Sequence, residues 1–190
     1  MEPFEYQLLF AAVILGLAIS ELAMATHRLL SALDRVQWDW LAPLAGVLVF
    51  LKIITQWWSW YAAQALHGGL RFEMFIAVMG GGVLLFLLAA MVLPDVKHGD
   101  SVNLAHYYER VRRRFWVLLT LHWLVATAVS VWAQVAVGGA RFSFASPVYL
   151  IVLLTLGLAF IRARWVHGLA LLALCGLYLA QFFGQQLAPI

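Results

Sequence analysis

Two charged side chains lie inside runs that should not carry charge. Glu21 sits in ILGLAISELAMATHRLL, and Lys52 sits in LAPLAGVLVFLKIITQWWSWYAAQAL. If these runs cross a bilayer, Lys52 falls near mid-membrane, where an ammonium costs a few kcal/mol or more and therefore faces protein or water. Counted from the loop 31–40 that joins the two runs, Glu21 lies about 13 Å deep and Lys52 about 16 Å deep by helical rise. An ion pair between adjacent antiparallel helices is thus the first expectation. Such a pair can serve as a gate, a proton relay or an ion-binding element, or as a clamp that neutralises two costly charges. It predicts a non-additive double-mutant cycle between Lys52→Met and Glu21→Gln. Lys52 could also be the counter-charge of an anionic ligand or of a partner subunit.

Other polar side chains recur at helical spacing. Thr55, Gln56 and Ser59 continue outward from Lys52 on one stripe, and Thr127, Ser130 and Gln134 share a face further on. Each stripe could line an aqueous path or act as interhelical hydrogen-bonding glue. Haem b would need two axial histidines from different helices. Among six histidines, His122 with His27 or His167 is the pairing to consider. Arg110, Arg112, Arg113 and Arg114, beside Tyr107, Tyr108 and Trp116, form a basic-aromatic patch suited to anionic lipid head groups. The same arginines also serve simply as a topology signal.

The sequence has no Gly-x-Ser-x-Gly, no His-Glu-x-x-His and no paired Asp/Glu motif for head-group transfer. The expectation is no catalytic residue and no metal site. A Schiff-base role for Lys52 would want seven helices. Cys175 is the one cysteine, which excludes an internal disulfide.

The elements that must position these residues are membrane helices. Of the 190 residues, 65% are hydrophobic and 11% charged, well below the charge content of a soluble domain. The reading is an all-α integral membrane protein of six transmembrane helices, in one domain. Spans are expected at 6–30, 41–66, 71–93, 115–137, 147–161 and 165–187. A cytoplasmic interfacial helix, capped by Asp100 or Ser101, should precede the fourth and continue into it. Pro43 and Pro147 fit first helical turns, and Pro94 ends a span. Gly80, Gly81 and Gly82 at mid-span predict a close contact, a kink or a bend. Trp38 and Trp40, and the cluster Trp57, Trp58, Trp60 and Tyr61, read as interface anchors. Ala12, Gly16 and Ser20 form one small-residue ladder, and Gly176, Ala180 and Gly184 another. Tyr178, Gln181 and Gln185 form a separate stripe. The first residues, MEPFEYQLLF, lack a basic signal-peptide region and read as a mature N-terminus.

Lysine and arginine are distributed unevenly. The first, third and fifth connections hold nine, the second and fourth hold two, and Lys52 completes the 12. The positive-inside rule then puts both termini outside and the odd connections in the cytoplasm. Spans 1–3 and 4–6 would run in opposite senses, as in inverted-repeat transporters, although no residues match between the halves. A net charge of +3 reflects these loops and not a nucleic-acid surface.

GLAISELAMATHRLL, QWWSW and MVLPDVKHGDSVNLAHYYERVRRRFW together resemble a group of small bacterial inner-membrane proteins with no assigned activity. They share the Leu-Pro-Asp exit and the His-Tyr entry to span 4. The resemblance covers about half the chain. It implies a bacterial inner-membrane location and an all-helical fold, and Lys52 stands outside its pattern. The function expected from the residues is a small oligomeric channel or transporter with a polar path near Glu21 and Lys52. The alternatives are a non-catalytic subunit or scaffold of a larger membrane complex, and a haem b electron carrier. The expected partners are the bilayer and a second copy or another membrane protein.

Overall fold

The computed structural model of the chain describes residues 3–62, 72–96, 101–136 and 147–184. Six α-helices make up nearly all of it: α1 (Pro3–Ser31), α2 (Leu41–Ala62), α3 (Phe72–Val92), α4 (Leu104–Ala136), α5 (Pro147–Leu158) and α6 (Arg164–Gly184). Four of them, α1 to α4, contain stretches long and apolar enough to cross a membrane. The helical class expected from composition is therefore present. α5 has 12 residues, about 18 Å at helical rise and well short of the ~30 Å of a hydrocarbon core. α6 has 21 residues.

α2 occupies the centre and packs on α1, α3, α4 and α6, while α5 touches the bundle through α4. The helix interiors meet in one cluster that includes Leu15, Ala18, Ala45, Leu48, Ile53, Leu85, Leu88, Trp116, Leu119 and Leu171. Small residues on α1 and α2 let backbones approach, the usual basis of packing between helices in lipid. Large apolar side chains such as Leu17, Val47, Leu87, Leu121, Leu153 and Leu172 point outward. That is the exterior a lipid-facing bundle requires.

The glycine run leaves α3 unbroken and marks close contacts. A Cβ on Gly82 would come within 3.2 Å of Ile14, and one on Gly81 would touch Val125 and His122. Gly80 faces open space. On α6, Gly168 accepts the indole of Trp40, which a Cβ there would overlap.

The helix expected before span 4 does run on into it. α4 is one uninterrupted helix of 33 residues, about 50 Å long, with no in-plane segment split from it. Its sequence contains neither Gly nor Pro, the usual causes of a sharp bend. The cap differs from expectation. Asn103, and not Asp100 or Ser101, accepts the His106 N–H in its side-chain oxygen at 2.9 Å. That is the N-cap to N3 geometry.

Three connections meet at one end of the bundle. Val36–Gln37 (β1), after α1, pairs in parallel with Val102–Asn103 (β2), before α4. Asn103 Nδ2 donates to Gln37 Oε1 at 2.6 Å. Arg28 at the end of α1 pairs with Asp95 after α3 at 3.2 Å. Arg164 at the start of α6 pairs with Asp39 before α2 and with Glu109 on α4. Tyr107 donates to the carbonyls of Met91 and Leu93, which α3 leaves open at its C-terminus.

Candidate functional site

The middle of α2 carries the polar side chains that the sequence singles out, and the helix turns them inward. Lys52 is 6% exposed, and Thr55 and Gln56 are also buried. The Lys52 ammonium rests over the Trp123 ring of α4, 4.1 Å from its centroid, and faces the Tyr178 ring of α6 at 5.6 Å. The two rings stack nearly parallel, 8° apart with centroids 6.3 Å from each other. A cation against aromatic faces gains about 2 kcal/mol when desolvated, less than the several kcal/mol needed to bury an ion.

The expected Glu21–Lys52 pair is not formed. Glu21 is partly exposed and bonds Arg28, two turns later on α1, at 3.3 Å. A half-exposed carboxylate keeps both solvent and a nearby guanidinium, whereas Lys52 points toward α4 and α6. Among the described residues no carboxylate pairs with Lys52.

Lys52 is not the only unmet donor. The indole N–H of Trp123 and the hydroxyl of Tyr178 are buried without a hydrogen-bond partner among the described residues. Both belong to the rings that the ammonium touches. Buried polar groups are normally paired, and each unpaired one costs about 1–3 kcal/mol. Three donors without an acceptor therefore share one small volume between α2, α4 and α6. The sequence did not single out Trp123, and it placed Tyr178 in a stripe with Gln181 and Gln185. Gln181 is exposed, and Gln185 lies outside the described residues.

One turn along α2 the polar groups are satisfied. His122 has Nδ1 3.2 Å from the Gly81 carbonyl and Nε2 3.2 Å from the Gln56 side chain. The carbonyl can only accept, so Nδ1 carries the hydrogen. A neutral ring then has an acceptor at Nε2, where Gln56 stands with Oε1, so the Gln56 amide must turn over to present its N–H there.

The hydroxyls expected to line a path turn back on their own helices. Thr55 donates to Leu51 and Lys52 carbonyls, and Ser59 to Thr55. Thr127 donates to Trp123, and Ser130 to Ala126. Ser59 and Ser130 are exposed, so neither stripe stays on one interior face. The side chain of Gln134 lies outside the described residues. Thr120 and Thr155 do bond across helices, at 3.1 Å between α4 and α5.

The three histidines considered for haem are not brought together. His122 has both ring nitrogens engaged. His167 accepts from Trp116 Nε1 at 2.8 Å through Nδ1, and its Nε2–H donates to the Ile161 carbonyl at 3.0 Å. His27 is on an exposed face of α1. The described residues contain no group of three or more His, Cys, Asp or Glu placed to hold a metal ion.

The arginine patch divides. Arg110, Arg113 and Arg114 are exposed, with Arg113 over the Phe160 ring at 5.6 Å and Arg110 beside His106. Arg112 turns inward to within 3.5 Å of His167.

No family model, curated protein or solved structure matches the chain.

Proposed function

We propose that this chain is a small transport protein of the bacterial inner membrane, crossing it six times and working as a homo-oligomer with both termini outside. The observation that carries the reading is Lys52, an ammonium enclosed at mid-helix where three helices meet, with no carboxylate beside it among the described residues. A purely structural clamp would supply the countercharge. An ammonium left uncompensated in a membrane core is the pattern of a group that meets its counter-ion from outside the chain. The path runs beside Lys52 and Gln56 between α2, α4 and α6. The bacterial location rests on the sequence resemblance, and the orientation on the lysine and arginine count.

Two features support the oligomer. The small-residue ladders face away from the bundle, because Gly16 and Gly176 have no neighbouring atom within 4 Å of where a Cβ would stand. Ser20 and Ala180 are exposed on the same ladders. Such faces suit close approach by another helix.

The test uses purified protein in liposomes, followed by light scattering under gradients of sodium chloride, sodium acetate and glycerol. Permeation of at least one of these solutes above protein-free vesicles, lost in Lys52→Met, is the expected result. Vesicles as tight as protein-free controls to all three would overturn it.

A second reading, a non-catalytic subunit of a larger complex, is favoured by one feature. An apolar groove of about 480 Å³ opens between α4 and α5, lined by residues such as Leu124, Ala128, Val131 and Val152. A stoichiometric second protein that survives purification and fills that groove would support it over transport.

A further inference from the structure

We infer that Lys52, Trp123 and Tyr178 form a binding site for a small monovalent carboxylate. The proposal deepens the transport reading by naming the solute class, and its relevance to flux rests on that reading.

The donor set carries the inference. An ammonium has three N–H groups, an indole one and a phenol one. The indole and the phenol are buried without a partner, and the ammonium lies against their aromatic faces with no carboxylate beside it among the described residues. A carboxylate is the complement of such a set. Its two oxygens offer about four lone-pair positions, enough to meet donors that belong to different rings. Bonds from charged or polar donors to a carboxylate are among the stronger ones in proteins.

Charge balance sets the valence. Lys52 is the cation placed against these rings among the described residues, and the adjacent polar groups of Gln56 and His122 bond each other and Gly81. One negative charge neutralises the site. A divalent anion would leave a second charge unpaired in a medium of low dielectric, at a cost of several kcal/mol. The helix turns beside the two rings are apolar. Leu119 lies one turn before Trp123 and Cys175 one turn before Tyr178, and both are buried and apolar in character. They suit a short alkyl group and not a sugar or a second head group.

The test is thermal unfolding of the full chain in detergent at constant ionic strength, with sodium acetate or propionate compared with sodium chloride and sodium sulfate. The expected result is a Tm rise of about 2–4 °C in saturating carboxylate, with little rise in chloride or sulfate. The rise should vanish in Lys52→Met and shrink in Tyr178→Phe, which removes one donor and keeps the ring. Each variant is its own reference, so a change in its basal Tm does not matter. If Lys52→Met does not fold, Tyr178→Phe and Trp123→Phe decide the question by the same comparison. An undiminished carboxylate shift in the variants, or an equal shift with chloride or sulfate, overturns the site. No shift in the native chain also overturns it. A Lys52-dependent shift in a protein whose liposomes stay impermeable keeps the site and removes the transport reading. Permeation without any carboxylate shift does the reverse.

Discussion

At the residue scale, Lys52 decides what kind of core this bundle has. A buried ion pair would make each single substitution costly, because each would strand the other charge. The structure has no such pair, and the expectation changes sign. Lys52→Met keeps an unbranched side chain of similar length and removes the ion. It forfeits the cation–π contact but also the larger desolvation cost. In the absence of added carboxylate, the variant should be more stable by about 1–2 kcal/mol. Glu21→Gln loses only a partly exposed bond to Arg28, worth at most about 1 kcal/mol. The double variant should be additive within about 0.5 kcal/mol, since the two sites share no partner. A thermal-melt cycle measures this, and a coupling energy well above that bound would restore the pair. The place of Lys52 at the middle of its helix was legible in the sequence because it stands at the centre of an apolar run. Its partner was not. Which way α1 and α2 turn about their own axes depends on packing against α3, α4 and α6, and Glu21 and Lys52 ended on faces that do not meet. Trp123 was hidden among nine tryptophans. The signal that could have found it was Lys52 itself. An ammonium that lacks a carboxylate needs an aromatic face at the same depth on another helix.

At the element scale, hydropathy and breakers did most of the work. The start of α2 at Leu41, the end of α3 before Pro94 and the start of α5 at Pro147 all follow from local chemistry. The run of glycines was ambiguous, because sequence cannot distinguish a bend from a contact. The structure makes the three positions unequal, and this is testable. Alanine in a helix is favoured over glycine by about 1 kcal/mol. Gly80 faces open space, so Gly80→Ala should gain most of that. At Gly82 the new methyl presses on Ile14 at 3.2 Å, which should erase the gain or reverse it. Equal melting temperatures for the two variants would mean that α1 and α3 are not in this contact. Pairing Gly82→Ala with Ile14→Val should recover part of the loss. α4 carries a further lesson. Its polar first turns read as the start of a helix that runs on into the span, and nothing in them breaks the backbone ladder. The Asn103 cap was missed by two residues because the strand pair β1–β2 occupies the stretch where an earlier start would lie.

At the scale of the whole molecule, the charge count and the structure meet at one end of the bundle. The positive-inside count groups the connections after α1, α3 and α5 on one side of the membrane. The structure ties those same connections together by the β1–β2 pair, by Arg28 with Asp95, and by Arg164 with Asp39 and Glu109. Charge statistics and tertiary contacts are independent sources, and they agree on which connections belong together. Neither one fixes which side faces the cytoplasm as firmly as labelling can. Cys175 is buried and is the one native thiol, so its background reactivity should be low. Asp34 and Asp95 are exposed at the clamped end, and Glu73 is exposed at the start of α3, toward the opposite end. In intact cells a membrane-impermeant maleimide should label Glu73→Cys and leave Asp34→Cys and Asp95→Cys unmodified. After the membrane is permeabilised, all three should react. The reverse pattern in intact cells would invert the protein in the membrane, and it would place the outward stripe from Lys52 on the cytoplasmic side. Labelling of Asp34→Cys together with Glu73→Cys would break the shared-end topology itself. In that case the contacts of Arg164 with Asp39 and Glu109 could not persist in the bilayer.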